Sequence, residues 1–441
     1  LWVALNTGPW LIRGRPQGLL AWLNFFRASL PLLVLALVLL RAPAALQRWG
    51  PRPVGLRLWL VYGVLGLLSG VIAGRGFGAA YWALAYIAAI GVALIAIRSR
   101  HPLRAARRLN ALSWIVAAFF LVTMLVMVRG ALFVETEYGI TAYGIVNRAG
   151  TVAGGPVSRA SGFARFAAVV GIVLFVGTWR SRGWRRFLLA SGAAAAGALV
   201  YLMDSRGAIL GAVAACGFTM MYAGRRARRV GIGLLVLAGL LLGGGLVAPH
   251  QVEKLENYLR RGQSSTEMAT LTGRTRTWSR AVAVAAESPL LGFGFQADRA
   301  LIQEHVHNSY LYALLTAGYP GLLLFVLGLA WFWVTFFRIL KRVPDDERTR
   351  AGLVTAASLM MFFTVRGIPE VSGAMFGVDL LVMVPAMAYV EVLGAALRCR
   401  VGQRAGTGGA WPGRPMLAAY GLHRSHASFS TVGRSPAGGM R

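Results

Sequence analysis

The sequence predicts an all-α membrane protein: a polytopic bundle of about eleven transmembrane helices carrying one large outer loop. Three observations lead there. Of 441 residues, 57% are hydrophobic and only 14% charged, whereas soluble domains carry about 25% charged residues. The apolar residues gather in runs of the length a spanning helix needs, roughly 17–25 residues. The basic residues, which give a net charge of +31, sit in short clusters between those runs instead of forming patches on a soluble domain. The charge therefore reads as a topology signal and as attraction to anionic inner-leaflet lipids, and nucleic acid is not needed to explain it. Two cysteines, Cys216 inside an apolar run and Cys399 near the end, supply neither a disulfide framework nor a Cys-based zinc site.

Taken in order, the spans are expected at about 20–40, 54–73, 77–97, 109–128, 163–179, 187–203, 207–223, 230–248, 319–337, 351–367 and 375–394. Before the first, Leu1 to Ile12 is an apolar stub closed by Arg13, which reads as the end of an earlier helix, and no cleavable leader is visible. The chain divides into 1–248, holding the first eight helices and an outer loop at 129–162; the large loop 249–307; the re-entrant and C-terminal helices of 308–397; and 398–441, a basic tail expected to be disordered and cytoplasmic because it is rich in Gly, Pro, Ser and Arg. Within the large loop, Thr277 to Glu287 reads as a short helix with Trp278, Ala281, Val282 and Ala285 on one side, closed by Ser288-Pro289.

Orientation follows from the connections. One alternate set, 41–53, 98–108, 180–186, 224–229 and 338–350, holds 21 Lys and Arg in 50 positions, against 13 in 109 for the other set, so the first is assigned to the cytoplasm. The acids agree: the cytoplasmic set has only Asp345, Asp346 and Glu347, and the outer set has ten. The protein is thus expected to span a membrane many times with 129–162 and 249–307 on the outer side. Loops of that length in compact proteins are usually functional.

The outer face collects chemistry-bearing residues. Arg159 and Arg165 bracket Ser161-Gly162-Phe163; Asp204, Ser205, Arg206 and Gly207 form a tight turn; Arg274 and Arg276 follow Thr272-Gly273; His305, Val306, His307 and Asn308 precede an apolar helix; Arg366 and Glu370 flank Gly367-Ile368-Pro369. Guanidinium groups bind phosphate oxygens in two-point fashion, and several at a membrane boundary suit a diphosphate at headgroup level. Arg165, Arg276 and Arg366 have an ordinary alternative, pairing with headgroups or carbonyls at a helix end. For Arg206 the dull account is an ion pair with Asp204. For His307 it is a polar position before a helix capped by Asn308, against which stands the suitability of histidine as a base near neutrality. His305, two residues earlier, would point elsewhere if the segment is helical or turn-like, and it reads as a structural or supporting residue.

Other signals are negative. Gly292-Phe293-Gly294 lacks the third glycine and the strand–helix setting of a dinucleotide fingerprint and reads as a turn. No Walker loop, His-Glu-x-x-His helix or Gly-x-Ser-x-Gly elbow occurs. With no Asp-x-Asp arrangement either, catalysis is expected to need no metal or other cofactor and to use basic residues against a phosphate leaving group. A transporter would place ionisable groups near the bilayer midplane and carry internal repeats. Asp379 is the only acid read as lying well inside a span, and no halves match.

The run His307-Asn308-Ser309-Tyr310-Leu311 through Leu314, Gly318 and Gly321, preceded by Thr272-Gly273-Arg274 through Trp278 and by Pro289-Leu290-Leu291-Gly292-Phe293-Gly294, resembles the O-antigen ligase and O-antigen polymerase superfamily. Ser205-Arg206-Gly207 and Arg159-Ala160-Ser161-Gly162-Phe163 match its two earlier outer motifs. Departures are Ala164-Arg165-Phe166-Ala167, where an Asn-Pro-Asn-like stretch is frequent, and Thr316, where glutamate is frequent. The resemblance implies about twelve spans and a metal-independent, inverting glycosyltransferase. It would take a glycan from an undecaprenyl-diphosphate carrier on the periplasmic face and join it to lipid A core, as a ligase, or to another carrier-linked repeat unit, as a polymerase. Carried over by position, Arg206 and Arg274 hold the diphosphate, Arg159 is a third phosphate residue, and His307 is the general base, with Asn308, Asp204 and His305 as supporting residues.

Overall fold

The computed structural model describes residues 19–41, 51–127, 134–136, 139–141, 160–203, 205–224, 227–233, 274–343 and 347–404. The helices are α1 (Leu19–Arg41), α2 (Val54–Ile72), α3 (Gly76–Ala96), α4 (Pro102–Met127), α5 (Ala160–Arg180), α6 (Gly183–Leu202), α7 (Arg206–Tyr222), α8 (Arg274–Glu287), α9 (Ser309–Leu340), α10 (Glu347–Arg366) and α11 (Val378–Arg404). Residues 227–233 are also helical. Among the described residues the fold is all-α apart from a small antiparallel hairpin in the 129–162 segment, β1 (Val134–Thr136) and β2 (Gly139–Thr141), with Glu135 opposite Ile140. Among the described residues six helices are long and apolar enough to cross a membrane, and α7 is a shorter apolar helix. Each expected span coincides with a helix except 230–248, most of which lies outside the described residues, as do the loop residues 249–273 and the tail beyond Arg404.

α11 is the central post. Nearly all of its spanning stretch is buried, and it packs against α4, α9 and α10. α9 lies along α2, where small residues let the backbones approach: a side chain at Gly328 would run into the ring of Trp59, and one at Gly55 would meet the backbone of Gly328. In a membrane such packing and buried hydrogen bonds replace the hydrophobic drive between helices. Trp59 Nε1 donates to the Phe325 carbonyl (3.0 Å), and Tyr62 Oη donates to that of Ala374 (2.8 Å). Glu391 lies buried in α11 as well as Asp379, a second acid that the sequence reading passed over; it accepts from the Gly55 amide at the start of α2 (3.1 Å).

Two features depart from the expected element list. α9 begins ten residues before the expected 319 and is broken at Ala317 and Gly318 (φ 64°, ψ −165°) ahead of Pro320. Pro320 cannot donate and the break frees carbonyls, which the 288–294 loop takes up. The Phe293 and Gly294 amides donate to Leu315 and Thr316 (2.8 and 2.9 Å), and the Tyr319 amide donates to Pro289 (2.7 Å). The expected turn at 292–294 is therefore a backbone dock, and Gly292, Gly294 and Gly318 all need positive φ to form it. In α8, Thr277, Ala281 and Ala285 are buried as an i, i+4 stripe while Val282 is 51% exposed, so the inward face is narrower than the sequence suggested.

Candidate functional site

Six helix ends converge at one end of the bundle: the N-termini of α5, α7, α8, α9 and α11 and the C-terminus of α10. The hub is the connection 366–374, and its centre is Glu370. One carboxylate oxygen, Oε2, lies 3.0 Å from His307 Nδ1; the other accepts from Arg274 Nη2 at 3.2 Å. Arg274, the first residue of α8, also donates through Nη1 to the Pro369 carbonyl (2.6 Å). α7 starts against the same strip, since a side chain at Gly207 would sit 3.3 Å from Pro369 Cγ and 3.5 Å from Glu370 Cγ. Arg206, half-buried, is the residue before it. The arrangement thus gathers His307, Arg274 and the N-terminus bearing Arg206 around one carboxylate.

Electrostatics fix the charge states. Burial alone would push the Glu370 carboxyl up, but the hydrogen bond from His307 and the charges of Arg366, His307 and Arg274 outweigh it and bring it to about 2. An ionised carboxylate is acceptor-only, so the contact between them places a proton on His307 Nδ1. The His307 and Arg274 side chains are 34% and 30% exposed, open enough for a ligand to reach both.

The backbone carrying His307 is over-determined. His307 has φ 45°, an uncommon left-handed conformation for a non-glycine residue that neighbours must hold. Before it, Asp298 is fully buried and binds His305 Nδ1 (2.6 Å) and the Val306 amide (3.2 Å) through Oδ2, while Trp278 Nε1 donates to the Val306 carbonyl (2.8 Å). After it, Asn308 caps α9, accepting from the Tyr310 and Leu311 amides (both 2.9 Å). Asn308 Nδ2 also donates to the Ile368 carbonyl (3.0 Å), and the Ser309 amide donates to Gly367 (2.8 Å). Ser309 Oγ accepts from the Ser372 amide (2.7 Å). These bonds stitch residues 308–309 to 367–372 and so set His307 against Glu370.

A second buried network lies behind the first. Asp379, in the first turn of α11, accepts from Arg366 Nη1 (2.6 Å) and Ser372 Oγ (2.8 Å) on one oxygen and from Arg165 Nη1 (2.8 Å) on the other. Arg165 and Arg366 are therefore internal partners of a carboxylate, contrary to the headgroup or carbonyl pairing that the sequence left as their ordinary reading. Arg276 is exposed. Arg159 and Asp204 lie outside the described residues. Sequence reasoning missed Asp298, Ser309 and Ser372; Glu370 was visible as an outer acid next to a proline, but its partners are 63 and 96 positions away.

Fold and site together define a polytopic helical protein with a cationic, histidine-bearing mouth at one end of the bundle. Residues 192–326 match the family model described as O-antigen ligase, a segment that includes Arg206, Arg274, His307 and Asn308 and ends before Glu370. The chain is also similar to the exopolysaccharide production protein ExoQ of Rhizobium meliloti (strain 1021), 28% identical over 142 residues that take in 28% of this chain and 27% of the relative. The aligned region thus spans about a quarter of that relative's length. Both matches support the likeness to the O-antigen ligase and polymerase superfamily and fit a membrane protein of polysaccharide biosynthesis.

Proposed function

We propose that this protein is a glycosyltransferase that moves a glycan from an undecaprenyl-diphosphate carrier to an acceptor sugar at the periplasmic face of a bacterial inner membrane. The single observation that carries the reading is the shared carboxylate of Glu370, which engages Nδ1 of His307 on one oxygen and Arg274 on the other and so sets a histidine beside an arginine. His307 Nε2 takes the proton from the acceptor hydroxyl as that oxygen attacks the anomeric carbon. The bond from that carbon to the phosphate oxygen breaks, inverting the centre, and the diphosphate leaves with the extra charge. Arg274 and Arg206 stabilise that charge, with Arg159 as a third candidate. Glu370 positions His307, as Asp298, His305 and Asn308 position the backbone around it. The site's own groups account for proton removal and charge stabilisation, so the reaction is expected to run without a metal or other cofactor.

The acceptor is lipid A core in the ligase reading. The printed name of the Rhizobium relative, exopolysaccharide production protein, favours a second reading in which the acceptor is another carrier-linked repeat unit. Purified protein supplied with undecaprenyl-diphosphate glycan in EDTA, with lipid A core or with donor alone, separates them: a lipid-A-linked product marks a ligase, and chains of repeats on the carrier mark a polymerase. Transfer that occurs only when divalent metal is restored would contradict the metal-independent mechanism.

A further inference from the structure

We infer that the opposite end of the bundle holds a binding site for a phosphate-bearing anion, and that its occupant is the headgroup of an anionic phospholipid. Between the last turns of α9 and α11 lies an open cavity of about 260 Å³, lined by Arg338, Arg342 and Arg398 together with Trp331, Thr335 and Gly394. Arg338 is in the last turn of α9 and Arg342, whose amide donates to the Ile339 carbonyl (2.8 Å), is in the turn that follows it; Arg398 arrives from the facing helix. Gly394 forms the tight floor, where a side chain would sit 3.0 Å from Ile339 Cδ1 and 3.2 Å from Thr335 Cγ2. The three charges thus come from two packed helices and surround a space that packing leaves open.

Three guanidiniums around one cavity repel one another unless an anion joins them. Among the described residues none has a hydrogen-bonded carboxylate partner. Glu391, two turns before Arg398 on α11, is close enough to interact with its charge but accepts its hydrogen bond from the Gly55 amide. Planar donor forks of this kind match phosphate oxygens in two-point geometry. A free phosphate and a lipid headgroup share that chemistry, but two further facts favour the lipid. The cavity opens at the ends of two spanning helices, where headgroups lie, and basic pockets so placed bind anionic headgroups. The lining itself includes the half-buried ring of Trp331, Ile339 and Leu397, an apolar surface for an acyl chain beside the charges. Arg338 is 20 residues beyond the break at Gly318 on α9, about 30 Å at 1.5 Å per residue, so the site is separate from the proposed reaction.

The test is native mass spectrometry of the full chain purified in detergent, with phosphatidylglycerol, phosphatidylcholine or inorganic phosphate added. The wild type should retain one phosphatidylglycerol with a preference on the order of a hundredfold over phosphatidylcholine, as three basic residues at roughly 1 kcal/mol each imply. The triple variant Arg338→Gln, Arg342→Gln, Arg398→Gln should lose that preference. The variant Arg104→Gln, Arg107→Gln, Arg108→Gln, which removes as many exposed charges from the start of α4, should keep it. Equal retention by both triple variants, or no preference in the wild type, would overturn the site. Displacement of the lipid by millimolar inorganic phosphate would overturn the lipid as occupant and assign the cavity to a soluble phosphate. Size-exclusion profiles matched to wild type establish that the variants are folded.

Discussion

His307 Nδ1 lies 3.0 Å from Glu370 Oε2, while Arg274 Nη2 holds the other oxygen of the same carboxylate at 3.2 Å. His307 and Arg274, the base and a phosphate residue of the proposed mechanism, are thereby registered to each other through one side chain, to which that mechanism assigns no proton transfer. Glu370→Gln keeps the shape but offers an amide that can donate as well as accept, so His307 loses its fixed tautomer. Transfer should fall about 10- to 100-fold, by analogy with the loss of a carboxylate that orients a histidine, with an altered pH–rate profile, and Glu370→Asp should recover part of it. An unchanged profile in the Gln variant would remove Glu370 from the mechanism.

The low pKa of Glu370 also makes a stability prediction. Its folded value of about 2 lies below the ordinary 4.5, so its contribution is fully present above about pH 4.5 and is lost as pH falls towards 2. The shift corresponds to something on the order of 3 kcal/mol. Thermal unfolding of wild type and Glu370→Gln in detergent should differ at pH 6–7 and converge as pH falls through that window. A gap that stays constant down to pH 2 would contradict the charge assignment.

Most of the framework was legible in the sequence, because a run of apolar residues closed by arginines has little choice in a bilayer but to form a helix. The start of α9 was not: Ser309 to Gly318 is short, ends in glycine and precedes a proline, so its helicity depends on Asn308 as cap and on the 288–294 loop as partner. The site was legible as a set of residues on one side of the membrane, and His307, Arg274 and the start of α7 do meet at 366–374. What holds them was hidden. Asp379 looked like an isolated acid in a span, and nothing local links it to Arg165, 214 positions away. Asp298 carries no motif, and its importance to residues 305–306 emerges only from its burial and hydrogen bonds.

The broken helix makes its own prediction. Gly318 (φ 64°, ψ −165°) occupies a region that only glycine enters readily, and a side chain there would collide with Pro289 and Leu290. Gly318→Ala should cost at least about 1–3 kcal/mol from backbone strain. It should also speed hydrogen exchange at the Phe293 and Gly294 amides, whose acceptors lie beside the break. Wild-type exchange rates at both amides would show that the dock does not depend on this glycine.

Asp379 joins two guanidiniums, and its side chain and that of Arg366 are each 5% exposed. Asp379→Asn should destabilise by about 3–5 kcal/mol, the usual cost of leaving a buried charge unpaired. Adding Arg366→Gln should cost much less than the sum of the two single changes. Chemical denaturation of the three variants tests this, and strict additivity would show that the network is not a unit.

The measurement closest to the central claim is glycan transfer from an undecaprenyl-diphosphate donor by His307→Ala and Arg274→Ala, each checked for wild-type folding. The proposed mechanism expects His307→Ala to lose about 10²- to 10⁴-fold of the rate and Arg274→Ala about 10²- to 10³-fold. Wild-type rates in both folded variants, with the donor consumed and product formed, would contradict it and place the chemistry elsewhere in the chain.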